Sequence, residues 1–190
     1  MELRCAWVTK DPEYIEYHDK QWGRPVYDAR ELFAKLCLDG QQAGLSWITI
    51  LKRTESYHRA YANFDPVRIA QFDEQDVERL MQDTGIIRNR LKVQSVIKNA
   101  RAYLALEAEG IDFADYLWGF VGGAPMVNQR QGNGDIPATS PESDAMSKAL
   151  KKRGFTFVGS TICYAFMQAV GMVNDHLVTC PCHAECQQPG

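Results

Sequence analysis

Met81-Gln82-Asp83-Thr84-Gly85-Ile86-Ile87-Arg88-Asn89-Arg90-Leu91-Lys92 is a short break between two amphipathic stretches, and its reading decides the fold. Asp73 with Asp76 opens the stretch before it, which carries Val77, Leu80 and Met81 at helical spacing. After it, residues 88–109 form the longest periodic run, with Leu91, Val96, Ile97, Ala100 and Leu104 on one side and Gly110 as the stop. Gly85 suits a backbone position with φ > 0, which lets the chain reverse within a few residues. The second helix then starts with unpaired N–H groups and a positive dipole end, a seat for a phosphate, and Arg88, Arg90 and Lys92 add charge beside it. Two readings fit: a plain αα-hairpin with solvated basic residues, or a helical hairpin over residues 74–108 whose amides hold phosphates without reading bases. Ile87 stands where hairpins of the second kind commonly have another glycine.

Working outward, helix signals are dense and strand signals nearly absent. Asp28 with Glu31 starts a helix whose stripe of Leu32, Phe33 and Leu36 runs to Asp39. Ser46 can cap a long segment from Trp47 and Ile48 through Ile50, Leu51, Tyr57 and Tyr61. Asp65-Pro66 pairs an N-cap with proline at the first helical position. Asp112 starts a short helix over 113–120, and Ser140-Pro141 starts one that ends at Lys151-Lys152-Arg153, where basic side chains complement the dipole. Residues 122–139, with little periodicity, predict the most mobile connection. The expectation is an all-α fold, one domain over residues 1–190 built as two interleaved helical lobes.

The chain has 190 residues, 45% of them hydrophobic, with 24 acidic against 21 basic side chains. That composition is globular and excludes wholesale disorder. A net charge of −3 excludes a uniformly basic coat but leaves room for a local phosphate-binding patch, such as Lys148, Lys151, Lys152 and Arg153. The start reads polar and acidic, unlike a secretory signal. The uncharged stretch 154–174 has a helical part too short to span a bilayer comfortably. A soluble, cytoplasmic, monomeric protein without membrane contact is expected, its six cysteines serving as thiols or metal ligands.

Trp7, Trp22 and Trp47 crowd the first 47 residues with Tyr14 and Tyr17, which share one helical face at i, i+3. Asp39 and Trp47 bracket a glycine-flanked loop. A carboxylate among aromatic faces suits a flat, cationic, hydrogen-bonding ligand, because ring faces attract cations and the carboxylate accepts N–H donors. Cysteine and histidine gather at the two ends, and His176 with Cys180 has ligand-like spacing for tetrahedral zinc. Two arrangements fit: a terminal site using Cys182, His183 or Cys186, or one in which Cys5 and His18 join His176 and Cys180. Cys37 and Cys163 read as core.

Taken together, these segments resemble the bacterial 3-methyladenine DNA glycosylase I family, a branch of the helix-hairpin-helix glycosylases. Arg4-Cys5-Ala6-Trp7-Val8, Tyr17-His18-Asp19, Gln21-Trp22-Gly23, the segments 41–47, 83–88, 148–157 and 159–164, and Asn174-Asp175-His176 carry the resemblance in order. It implies a helical repair enzyme that removes 3-methyladenine from alkylated double-stranded DNA. It further implies one structural zinc on Cys5, His18, His176 and Cys180, pinning residues 1–20 to 174–182. Trp7, Tyr14 and Trp22 are implied as base-binding residues, and Asp39, Tyr17 and Trp47 as catalytic ones. Gln42, Gly44 and Leu45 are implied at the DNA, where Gly85, Arg88, Arg90, Lys92 and Lys151 add to the contact. Asp39 departs from the family, which usually has glutamate there; one methylene less shortens its reach by about 1.5 Å.

The chemistry expected of such a site is modest. The damaged base must be flipped out of the duplex. It is already cationic and leaves neutral, so little acid or base assistance is required. Consistent with that, no Val-Asp-(Thr/Ser)-His-like segment follows the hairpin, and Glu107 and Glu109 make poor substitutes. Leu45 reads either as a wedge filling the vacated stack or as a core leucine. No lysine nucleophile is evident, so the expected enzyme is monofunctional. A damage-binding protein without catalysis, or a zinc-stabilised module for a methylated ligand, are the other classes the residues suit.

Overall fold

A computed structural model describes residues 3–188. In chain order the helices are α1 (Pro12–Lys20), α2 (Ala29–Gln41), α3 (Trp47–Leu51), α4 (Thr54–Ala60), α5 (Pro66–Ile69), α6 (Glu74–Met81) and α7 (Arg90–Ala108). They continue with α8 (Phe113–Trp118), α9 (Pro141–Lys152), α10 (Ser160–Ala169) and α11 (Cys182–Glu185). The fold is mostly helical, with one small addition to the all-helical expectation. β1 (Met126–Val127) and β2 (Val173–Asn174) pair in parallel. No helix among the described residues is long and apolar enough to cross a membrane.

The local caps explain most boundaries. Asp28 accepts from the Glu31 amide at the start of α2, and Asp65 caps α5 ahead of Pro66. Asp73 and Asp76 form a reciprocal capping box on α6, as Ser140 and Ser143 do on α9. The segment expected as one helix from Trp47 to Tyr61 is instead two. It breaks at Lys52 and Arg53, and Ser46 makes no side-chain cap bond, its hydroxyl pairing with Thr49 at 3.0 Å.

Helix α2 lies at the centre, against α7, α8 and α10. Its Leu32, Phe33, Leu36 and Cys37 are buried in one core with Val93, Val96 and Ala100 of α7 and Cys163 and Phe166 of α10. Leu91 breaks the expected stripe. It sits in the first turn of α7, 66% exposed, beyond the reach of the core. Phe33, Phe113, Tyr103 and Phe155 interlock ring against ring within this core.

Gly85 is required for a different reason from the one expected. Its φ is not positive; a Cβ there would fall 2.6 Å from Ser56 Oγ, so glycine lets the hairpin press against α4. The connection 122–139 is likewise not loose. β1 lies along β2, and buried Asp175 accepts from Asn128 at 2.7 Å, Arg130 at 3.0 Å and Gln168 at 3.0 Å, as well as from the Tyr164 hydroxyl. Those bonds fasten the long connection to the C-terminal segment.

Candidate base-binding and metal sites

A second, smaller cluster forms where the two ends of the chain meet. Cys5, Tyr17, Trp22 and Cys180 are buried there, with Trp7, Tyr14 and Trp47 packed against them. It borders an open cavity of about 400 Å³ lined by Trp7, Tyr14, Tyr17, Trp22, Asp39, Gln42 and Trp47. That volume falls in the range of small-molecule sites, about 300–1,000 Å³. Asp39 and Trp47, at opposite ends of the glycine-flanked turn, therefore face one cavity. Asp39 belongs to the last turn of α2 rather than to the loop, and Trp47 is the first residue of α3.

Around Trp7 aromatic edges meet faces. Trp7 contacts Tyr14 at 5.1 Å and Trp22 at 5.0 Å between ring centres, and Tyr17 lies 5.6 Å from Trp47. Burial raises the Tyr17 hydroxyl well above its usual pKa, and the Asp39 charge adds to the effect, so the group is a neutral hydrogen-bonding phenol. Three buried side-chain atoms lack a partner among the described residues: Trp7 Nε1, Trp47 Nε1 and Asp39 Oδ2. All three residues line this cavity. Two N–H donors and one carboxylate oxygen, left unpaired at such a place, are what a polar planar ligand can satisfy.

Lys35 is the charged pocket residue that escaped the sequence reading. Lys35, one turn before Asp39 on α2, puts Nζ 2.9 Å from Asp39 Oδ1 and 3.3 Å from the centre of the Trp47 ring. Burial raises the Asp39 carboxyl above the usual carboxylate range, opposed by Lys35; burial lowers the Lys35 ammonium, opposed by Asp39. The i, i+4 spacing on a helix was the signal available for this pair. Asn133 and Ile136 of the long connection and Ala165, Gln168 and Ala169 of α10 also line the wall and were missed.

Beside the cavity, Cys5, His18, His176 and Cys180 are buried with one donor atom each, all within 4.8 Å of one another. Cys5 Sγ lies 3.5 Å from His176 Nδ1, and Cys180 Sγ lies 3.6 Å from His18 Nε2 and 3.8 Å from His176 Nδ1. Tetrahedral zinc with ordinary Zn–S and Zn–N bonds spaces such atoms by about 3.6 Å. The other ring nitrogens are oriented as ligating histidines require. His18 Nδ1 meets Asp19 at 2.7 Å, itself gripped by Arg4, and His176 Nε2 meets the Trp22 carbonyl at 2.8 Å. Gly23, at φ +84°, leaves room for that ring, since a Cβ would fall 2.8 Å from His176 Nε2. Cys182, His183 and Cys186 stand outside the four; His183 Nε2 bonds the Asn128 carbonyl at 2.7 Å.

The residues expected at DNA separate into two groups. Leu45 is 40% exposed at its loop tip, next to Gly44 at φ +78°, so it is not a core leucine. Gln42 lines the cavity, and Arg88 and Lys151 are exposed. Arg90 is exposed as well, paired with Glu78 at 2.8 Å. Lys92 corrects the expectation of a free phosphate contact. It is buried, and its ammonium donates to the carbonyls of Gln41 at 2.8 Å and Ala43 at 2.6 Å. It thus holds the loop after α2, whose last carbonyls are the negative end of that helix. Beside it, the Ile87 amide donates to the Tyr57 hydroxyl, which donates to Gln41 Oε1, each at 3.1 Å. Gln41 Nε2 donates in turn to the Lys92 carbonyl. The hairpin is wired in this way to the end of α2 that carries Asp39. Neither Tyr57 nor Gln41 was read as part of the site.

The described residues thus form a mostly helical protein with an aromatic cavity lined by a carboxylate, a chemistry that suits a flat, polar ligand. The profile of the methyladenine glycosylase family matches residues 7–183, and the chain belongs to that family. It is 57% identical over 180 residues to DNA-3-methyladenine glycosylase 1 of Escherichia coli (strain K12), covering 95% of this chain and 96% of that protein. It is 52% identical to DNA-3-methyladenine glycosylase of Haemophilus influenzae (strain ATCC 51907 / DSM 11121 / KW20 / Rd), covering 96% and 98%. A crystal structure of 3-methyladenine DNA glycosylase I superposes with a TM-score of 0.94 at 59% identity, covering 95% of this chain and 99% of the other. A Staphylococcus aureus 3-methyladenine DNA glycosylase I, solved for the basis of 3-methyladenine recognition, gives 0.91 at 38% identity, covering 98% and 97%.

Proposed function

We propose that this chain is a DNA glycosylase that excises 3-methyladenine from alkylated DNA and leaves an abasic site. The observation that carries the reading is that Trp7, Trp47 and Asp39, each with a buried polar atom that has no partner among the described residues, line one aromatic cavity. The flipped base stacks on Trp47, whose ring face favours its positive charge. Asp39 Oδ2 accepts from the base edge, and the neutral Tyr17 hydroxyl orients it; Trp7, Tyr14 and Trp22 enclose the rest. The C1′–N bond breaks with its electron pair passing into the ring, which cancels the ring's charge. Water adds to C1′ and gives a proton to solvent. The work of the site is binding and orienting the charged base rather than proton transfer, and no residue forms a covalent link to DNA.

The duplex is approached, in this reading, by a helix-hairpin-helix element with Arg88, Arg90 and Gly85 near one phosphate run and Lys151 near another. Gln42 and Gly44 shape the loop from which Leu45 fills the vacated stack. Cys5, His18, His176 and Cys180 would hold one zinc ion. Bound there, it supplies a closed four-ligand link between the chain ends, with no position open for water. The protein acts as a monomer in the cytoplasm. Chromatography of bases released from methylated duplex DNA tests the activity: 3-methyladenine is expected, and its absence overturns the proposal.

A further inference from the structure

Lys35 sits where the proposed ligand should sit. Its ammonium lies 3.3 Å from the centre of the Trp47 ring, closer than a van der Waals stack, and occupies one oxygen of Asp39 at 2.9 Å. Both attractions that select a cationic base, the ring face and the carboxylate, are already engaged by a cation belonging to the chain. With one carboxylate and one ammonium, the charges of Asp39 and Lys35 cancel instead of leaving a net negative site.

The surroundings give the side chain somewhere to go. A second cavity, of about 640 Å³, lies on the far side of the wall formed by Tyr17, Lys35 and Ala169, residues that line both spaces. It carries the carboxylates of Asp28 and Glu31 along with basic side chains, and Glu31 lies one turn before Lys35 on α2. A lysine stem pivoting at this position can exchange one cavity for the other without unwinding its helix.

We propose that Lys35 is a specificity-determining resident cation, displaced by the charged base on entry and returning to Asp39 to expel the neutral product. This rests on the glycosylase reading above. A charged base competes for Trp47 and Asp39 on equal terms with the ammonium. A neutral base, whether intact adenine or excised 3-methyladenine, competes poorly. Lys35 therefore raises discrimination against undamaged bases and weakens product retention, and both effects follow from the same displaced ion pair.

The test is the Lys35→Met variant, which keeps length and helix preference and removes charge, with Lys35→Gln as a second variant. Free 3-methyladenine is titrated into each protein by tryptophan fluorescence and as an inhibitor of excision. Single-turnover and multiple-turnover rates are compared on methylated DNA. Both variants should bind the free base about ten-fold more tightly than the wild type, with multiple-turnover excision slowed relative to single-turnover. Adenine affinity should rise similarly. Affinities within two-fold of wild type, in variants with unchanged thermal midpoints, would overturn the role of Lys35 while the wild-type excision assay still stands. A wild type that releases no 3-methyladenine overturns both.

Discussion

The indole of Trp22 stands edge-on to the His176 ring, 4.7 Å between centres, and stacks at 6.3 Å on His18 while its other side touches Trp7 at 5.0 Å. One side chain is thus shared by the Cys5, His18, His176 and Cys180 cluster and the aromatic cavity. Whatever fixes the two histidines fixes the cavity wall.

If Cys5, His18, His176 and Cys180 hold zinc as proposed, removing it should disturb the pocket as well as the termini. Purified chain is expected to carry one zinc ion, and His176→Ala to carry none. Loss of about 3 kcal/mol would lower Tm by on the order of 6–12 °C for a chain this size. Calorimetry and metal analysis read both quantities, and base release should fall in parallel. Cys182→Ser, outside the four ligands, should keep its zinc; a variant that loses it would place Cys182 in the site.

For Asp39 the expected loss is that of a charge-assisted hydrogen bond in a desolvated place. Asp39→Asn should lower kcat/KM on methylated DNA by about 10–100-fold, corresponding to roughly 1.5–3 kcal/mol. Asp39→Glu keeps the charge and lengthens the reach by about 1.5 Å, and should remain within about ten-fold of the wild type. Excision by the Asn variant at the wild-type rate would remove Asp39 from base recognition.

What could be read in advance had local causes. Asp73 with Asp76, Ser140 before Pro141 and Asp65 before Pro66 act over three residues or fewer, and each begins a helix where expected. The aromatic group and the four metal-ligand candidates were also legible, because residue type limits their chemistry and the resemblance assigned their partners. The break at Lys52 and Arg53 carries no glycine or proline to announce it. Lys92 looked like a hairpin cation because its true partners, the carbonyls of Gln41 and Ala43, lie about fifty positions away. The long connection looked mobile for the same reason, its anchor Asp175 being 45 residues from Arg130. Lys35 was concealed differently: a lysine four residues from an aspartate reads as a surface pair unless burial is known.

Tyr57 gives a test of the link between hairpin and pocket. Its hydroxyl takes the Ile87 amide and serves Gln41 Oε1, so Tyr57→Phe leaves two largely buried groups unsatisfied. Stability should fall by about 1–3 kcal/mol, measured by urea unfolding. Because Gln41 closes α2 beside Asp39, excision should slow in addition to the loss of stability. An unchanged rate in protein shown to be folded would mean that the network serves the fold alone.

Lys92 and Arg88 separate a buried lysine from a surface arginine at the same hairpin. Arg88 is exposed, whereas the Lys92 ammonium donates to the carbonyls of Gln41, at the end of α2, and Ala43, in the loop that precedes Trp47. Phosphate contacts release counterions, so each one lost reduces the slope of log affinity against log salt by about 1. Arg88→Ala should show that reduction with little change in Tm. Lys92→Met should leave the slope unchanged, lower stability by about 1–3 kcal/mol and slow excision through the displaced loop. Binding isotherms on duplex DNA at several salt concentrations decide the matter. A reduced slope in Lys92→Met would mean that its side chain leaves Gln41 and Ala43 to meet the DNA backbone.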